Sequence, residues 1–375
     1  MEEQTPIARR VAQAFRERFG GEPRVAVAPG RVNLMGEHTD YNDGFVLPVA
    51  IDRHVVVAFS PNPDHRLRGY SLDLDDEGNR RLDEPRPRSD WLDYVAGVAW
   101  SLQQDGISLD GMNLVVGADL PMGAGLGSSA ALELAAARAF MADRAWDAER
   151  AAEQARRAEN DFVGVPCGIM DQMSVALSEP GHGLLIDCRG HGYTRIPLPE
   201  DIVIVVLDTA TRRALREGRY QERRASCERA ASLLGVKALR DATREEMERL
   251  PEALRRLALH VSEENERTCS MAEALAGDDR ASMSELMARS HASLRDGFEV
   301  STPALDRMVE IASAHPRAIG ARMTGAGFGG CAVALVAVEG VESFVAEVGR
   351  AYAEDTGRGG VLFACRPSGG ARVVE

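Results

Sequence analysis

The stretch MNLVVGADLPMGAGLGSSAALELAAARAFM, residues 112–141, changes character twice. Met112–Gly117 is apolar and β-branched and reads as a strand. PMGAGLGSSAA (121–131) is rich in glycine, and the Ala/Leu run that follows to Met141 reads as a helix. Gly123, Gly125 and Gly127 let the backbone turn tightly and approach a ligand closely. Ser128 and Ser129 open the helix, so free amides and the positive end of its dipole face the loop. This is a phosphate cradle built without lysine. Two plainer readings compete with it: a glycine-rich turn ahead of a capped helix, and a dinucleotide-binding loop. Against the second, the loop lies some 120 residues into the chain, and Pro121 interrupts the approach from the strand.

Lysine is scarce everywhere. Of 44 basic residues only Lys237 is a lysine, and LLGVKALRD is not a GxxxxGK context. A phosphotransferase built on this chain must hold phosphates with backbone amides, magnesium and arginine. The net charge of −14 argues against sequence-independent nucleic-acid binding. Six scattered cysteines without a CxxC pair fit reduced thiols better than a disulfide framework or a zinc site. The first residues lack an apolar signal segment, and no apolar run approaches a membrane span. The expectation is a soluble, cytoplasmic protein.

Outward from the loop, Pro6–Phe19 reads as a helix capped by Thr5, with Ile7, Val11, Phe15 and Phe19 on one face and Gly20 as its stop. Strands are expected at Arg24–Ala28 and Val46–Ser60, and the charged, Pro/Arg-rich stretch Asp73–Asp90 reads as a surface hairpin or excursion. A helix is expected at about Asp147–Phe162. Further strands fall at Gly183–Asp187 and Ile202–Asp208, before a mostly helical stretch from Glu217 to Ala314. The end alternates: strand Ala318–Met323, loop TGAGFGG (324–330), strand Cys331–Val338, helix Val341–Tyr352, strand Gly360–Cys365. TGAGFGG matches GxGxxG by letter but leads into a strand, so it reads as a tight strand–strand turn. The pattern predicts a mixed α/β (α+β) fold of two lobes, residues 1–180 and 181–375, with the site in the cleft between them.

Two further segments carry chemistry. GRVNLMGEHTDYNDG (30–44) packs Arg31, Asn33, Glu37, His38, Thr39, Asp40 and Tyr41 between glycines, a density of polar groups that suits a ligand with many hydroxyls. A solvated surface loop is the alternative. Glu159 near a helix end and Asp171 in GIMDQM are candidates for holding magnesium and for accepting a hydroxyl proton. Taken singly they read as a solvated helix residue and a helix N-cap.

As an ordered set these segments resemble the galactokinases of the GHMP kinase superfamily. GRVNLMGEHTDYNDG is similar to the galactokinase signature, PMGAGLGSSAA to the superfamily's nucleotide-phosphate loop, and RMTGAGFGGC (322–331) to its third glycine motif. AENDFVGVPCGIMDQ (158–172), LLIDCR (184–189), GRYQERRASCE (218–228) and SHASLRDGFEVSTP (290–303) fall between them in family order. The resemblance implies ATP-dependent phosphorylation of galactose at its anomeric hydroxyl. It implies Asp171 as catalytic base and Arg31 as transition-state stabiliser. Ser129 and Glu159 correspond to magnesium ligands, and Gly123, Ala124, Gly125, Leu126, Gly127, Ser128 and Ser129 to the triphosphate loop. Ser71 falls near a nucleotide contact. Glu37, His38, Thr39, Asp40 and Tyr220 correspond to sugar-binding residues. ATP and galactose are then the partners, with Mg2+ as cofactor and no nucleic acid or membrane; a monomer is expected, with a dimer as the alternative. Gly127 departs from the usual serine and Arg219 from the usual glutamate. A kinase for N-acetylgalactosamine or arabinose, and a non-catalytic sugar sensor, are the alternative functions.

Overall fold

A computed structural model describes residues 5–121, 125–211 and 216–374. Two domains are built on antiparallel-rich sheets. In chain order the elements are α1 (Pro6–Phe19), β1 (Arg24–Asn33), β2 (Phe45–Val46), β3 (Pro48–Asn62), β4 (Arg66–Ser71), β5 (Asp76–Arg81), α2 (Leu92–Gln104), β6 (Gly111–Ala118), α3 (Ser128–Phe140), α4 (Ala148–Arg157) and α5 (Met170–Leu177). Then come β7 (His182–Asp187), β8 (Gly192–Pro197), β9 (Ile202–Asp208), α6 (Arg216–Leu234), α7 (Arg244–Met247), α8 (Glu252–Ala276), α9 (Arg280–Ala292) and α10 (Pro303–Ala314). The chain closes with β10 (Ala318–Met323), β11 (Cys331–Ala337), α11 (Val341–Thr356), β12 (Val361–Cys365) and β13 (Arg372–Val374).

The first sheet has the order β13-β1-β3-β6-β4-β5, and the second β10-β11-β9-β12. β1 is buried on both faces after Arg24, which alternation explains. Val25 and Val27 pack with Val56, Ala58 and Val115 under α1, against Ile7, Val11 and Phe15. Ala26 and Ala28 face the main core on the other side. Thr5 caps α1 by accepting from the Ala8 amide at 3.4 Å, and Gly20, at φ 71°, ends it.

Several expectations need correction. β1 runs on to Asn33 instead of ending at Ala28, because Gly30–Asn33 continue the ladder with β3 after a bulge at Pro29/Gly30. The hairpin begins at Arg66, ahead of the charged stretch, with β4 running parallel to β6. β8 and β13 had no sequence signal. β7 and β8 form a three-stranded sheet with β2, and β13 pairs with β1, so strand pairing rejoins the first domain from both sides of the second.

Candidate active site

A cavity of about 720 Å³ opens where the two domains meet, and residues far apart in sequence line it. Arg31 comes from β1, and Asp171 from the first turn of α5. Asp171 is not the N-cap; Ile169 holds that place. The two side chains form a fork: Arg31 Nε donates to Asp171 Oδ1 at 2.7 Å, and Arg31 Nη2 to Oδ2. Planar guanidinium and planar carboxylate meet bidentately, which fixes both rotamers. The third arm of the guanidinium, Nη1, donates to the Gly125 carbonyl at 2.6 Å, and the Arg31 amide donates to the Leu126 carbonyl at 2.8 Å. The glycine loop ahead of α3 is thereby tied to the catalytic candidates. Gly127 takes φ 73°, and a Cβ there would lie 3.1 Å from Arg31 Cγ. Both features favour glycine here. α3 starts at Ser128 with no side-chain cap, so its first amides lack intrahelical partners. Gly123 and Ala124, expected in the same loop, lie outside the described residues.

The opposite wall is the loop after β1. Glu37 is buried; its Oε1 accepts from the Gly325 amide at 3.0 Å and from the Thr324 hydroxyl at 3.2 Å, and its Oε2 is ion-paired with Arg322. Arg322 is wholly buried and also reaches the Leu34 carbonyl at 2.9 Å and Glu264 on α8 at 3.4 Å. Burial pushes the Glu37 carboxyl up, against the pull of Arg322. Burial would raise Glu264 too, but there Arg322, His260 and Arg267 outweigh it and hold the carboxyl at about 2. His38 sits at φ 63° with Nε2 3.2 Å from the Ala326 carbonyl and Nδ1 2.9 Å from the Tyr41 hydroxyl. Burial, then His260, lowers its pKa to about 3, so the ring is neutral. Tyr220 from α6 packs against this ring, centroid to centroid 5.6 Å. Asp40 lines the cavity, and burial raises its carboxyl to about 6.

Not every expected residue reaches the cavity. Thr39 is fully buried, and its hydroxyl donates to the Gly36 and Phe45 carbonyls at 2.8 and 2.6 Å, shaping the loop from behind. Ser71 lies at the end of β4, where its hydroxyl accepts from the Leu74 amide at 3.3 Å; it does not line the cavity. Conversely, Gly168 and the Gly325–Ala326 pair line it without having been singled out as contacts, as does Asn33, which was read only as part of the polar cluster.

Beside Asp171, Glu159 is buried in a π-helical turn, Ala158–Val163, that ends the α4 helix. Its Oε2 accepts from Gln172 Nε2 at 2.7 Å and Cys167 Sγ at 3.3 Å, and the Ser129 hydroxyl bonds it as well. Burial, then Asp171, pushes the Glu159 carboxyl up. Burial and Glu159 do the same to Glu133, whose Oε1 is buried without a partner. A hydroxyl and a carboxylate meeting in a site with uncompensated negative charge fit a hard divalent cation.

Comparison with known proteins agrees with this geometry. The galactokinase galactose-binding signature matches residues 13–61, the GHMP kinases N-terminal domain 93–179, and the GHMP kinases C-terminal domain 271–352. A galactokinase of Chloroflexus aurantiacus is 45% identical, covering 96% of each chain, and one of Roseiflexus is 44% identical over 97% and 96%. A Lactococcus lactis galactokinase solved in complex with galactose superposes with a TM-score of 0.89 at 33% identity, over 96% of this chain and 98% of that one. The Methanococcus jannaschii mevalonate kinase, at 18% identity and a TM-score of 0.68 over 93% and 99%, shares the fold. The chain belongs to the galactokinase family of the GHMP kinases.

Proposed function

We propose that this protein phosphorylates galactose at its anomeric C1 hydroxyl, using ATP and giving galactose 1-phosphate and ADP. The observation that carries the reading is the Arg31–Asp171 fork, tied to the glycine loop through the Gly125 carbonyl and sharing one cavity with residues of the polar loop 33–40. Asp171 accepts the proton of the attacking hydroxyl. Arg31 holds the carboxylate in place and stabilises negative charge developing on the transferred phosphoryl group. The amides of Gly125–Ser129 and the start of α3 bind the phosphates; Gly123 and Ala124 complete that loop. Glu37, His38, Asp40 and Tyr220 bind the sugar, and Thr39 supports them. Ser129 and Glu159 would hold Mg2+, which neutralises phosphate charge and orients the nucleotide when bound. Phosphoryl transfer asks mainly for positioning and charge stabilisation, and these residues supply both.

The reading includes a cytoplasmic enzyme acting on small molecules as a monomer, or a dimer, with lobes that meet near residue 180. The six free cysteines suit a reducing compartment. Among the described residues no helix is long and apolar enough to cross a membrane.

ATP turnover over a panel of galactose, 2-deoxygalactose, N-acetylgalactosamine, arabinose and glucose tests the proposal. Fixed buried donors and acceptors reject a moved hydroxyl strongly, so kcat/KM for glucose should fall at least about 100-fold below that for galactose. A better rate with any other sugar overturns the galactose assignment, and the absence of turnover with every sugar overturns the kinase.

A further inference from the structure

Gly168 faces Asp40 across the cavity. A Cβ on residue 168 would lie 3.1 Å from Asp40 Cγ, 3.3 Å from its Cβ, and closer still to Oδ2. Gly168 is not in the left-handed region, so its backbone does not require glycine; other glycines of the chain take φ values near +70° to +100° and do. What requires it is the Asp40 carboxylate. That carboxylate lines the cavity, and desolvation raises it to about 6. The Tyr41 and Asp40 amides and packing position it, whereas Glu37, three residues earlier, is held by the buried Arg322 and two hydrogen bonds.

We infer that Gly168 is a specificity-determining position: its missing side chain is the space that lets Asp40 point into the sugar site. The inference rests on the galactokinase reading above, and it assigns to the loop before Asp171 a role in sugar binding separate from its role in catalysis. Residue 168 lies two positions beyond Pro166 and three before Asp171, so the same short segment delivers the base and leaves the gap for Asp40.

A double-variant cycle on the full chain tests this. Gly168→Ala should raise KM for galactose roughly 10- to 100-fold, the effect of displacing a binding group by about an ångström, with KM for ATP changed less than about twofold. In an Asp40→Ala background, where the overlapping carboxylate is gone, the same glycine substitution should change KM for galactose less than about threefold. Gly192→Ala, at a position with open space around it, should leave both constants unchanged. An unmoved galactose KM in Gly168→Ala overturns the inference, as do additive effects in the double variant. Should Gly168→Ala alone lose its thermal unfolding transition, the double variant should recover it; loss in both overturns the inference. Galactose turnover by the unaltered protein tests the underlying function separately, so additivity with normal wild-type turnover sinks the role of Gly168 alone.

Discussion

The two glycine loops, one lining the cavity through Gly325 and Ala326 and the other tied to it through Arg31, share letters and differ in where their backbone groups go. In residues 324–330, between β10 and β11, four of the amides are already used. Gly325 donates to Glu37, Phe328 to the Val300 carbonyl at 2.6 Å, Gly330 to the Thr211 hydroxyl at 3.3 Å, and Thr324 to the Cys331 carbonyl at 3.0 Å. In residues 125–129 it is the carbonyls of Gly125 and Leu126 that are tied, both to Arg31, while the helix start at Ser128 carries no side-chain cap. One loop spends these donors within the protein, Gly325 on Glu37 and the rest on Val300, Thr211 and Cys331. The other, among the described residues, fastens two of its acceptors to Arg31, beside Asp171. A glycine motif read by letter cannot separate these, because the distinction lies in the hydrogen-bond partners.

If the two walls divide the work, changes on the first should lower kcat and changes on the second should raise KM for the sugar. The largest effect expected is that of Asp171→Asn, which keeps the shape but removes the proton acceptor; kcat should fall about 10²- to 10⁴-fold with ATP binding largely intact. Near-wild-type turnover of the purified variant would remove Asp171 from the mechanism. Arg31→Lys keeps a charge and loses the fork to Asp171 and the arm to Gly125, so kcat should drop more than KM for galactose rises. A pure KM effect would move Arg31 to the recognition wall and erase the contrast.

On the second wall, Thr324→Val removes the hydroxyl donor shared by the Asn33 carbonyl and Glu37, leaving Glu37 to Gly325 and Arg322. KM for galactose should rise about tenfold, the scale of one lost buried partner, with kcat within about twofold. An equal loss in kcat would show that this loop serves chemistry too. The smallest effect expected is with pH. Asp40, raised to about 6 by burial, with Asp171 adding to the rise and Arg224 opposing it, takes up a proton as pH falls through that value. It then loses its charge as an acceptor, so KM for galactose should climb several-fold between pH 7.5 and 5.5. The same limb should be missing in Asp40→Asn; its persistence there assigns the titration to another group.

Much of this was legible from residues alone. α1 was readable from Thr5, Pro6, its apolar face and Gly20, because capping and amphipathic periodicity are local. β9 and β10 matched their expected limits, since buried β-branched runs bounded by loops leave little choice. Arg31, Glu37, Asp40, Asp171 and Tyr220, nominated from density of polar groups and from motif order, do line one cavity.

What escaped is non-local. Glu264 sits in the sequence VSEENERT, which reads as a solvated helix face, yet it is wholly buried on Arg322, Arg267 and Ser290. Charge patterning cannot reveal a buried ion network, because the compensation for desolvation comes from other elements. β13 is three residues whose strand state exists only through pairing with β1, at the far end of the chain. The sequence by itself determined the strand–loop–helix units, the lysine-poor phosphate loop and the acid–base inventory. Tertiary structure alone decided that Thr39 turns inward to its own loop, that Ser71 stays at its turn, and that TGAGFGG grips Glu37. The physical reason is that local pattern sets which groups are available, while the partner each takes depends on the folded path of the chain, a few residues away for Thr39 and Ser71 and 288 for Glu37.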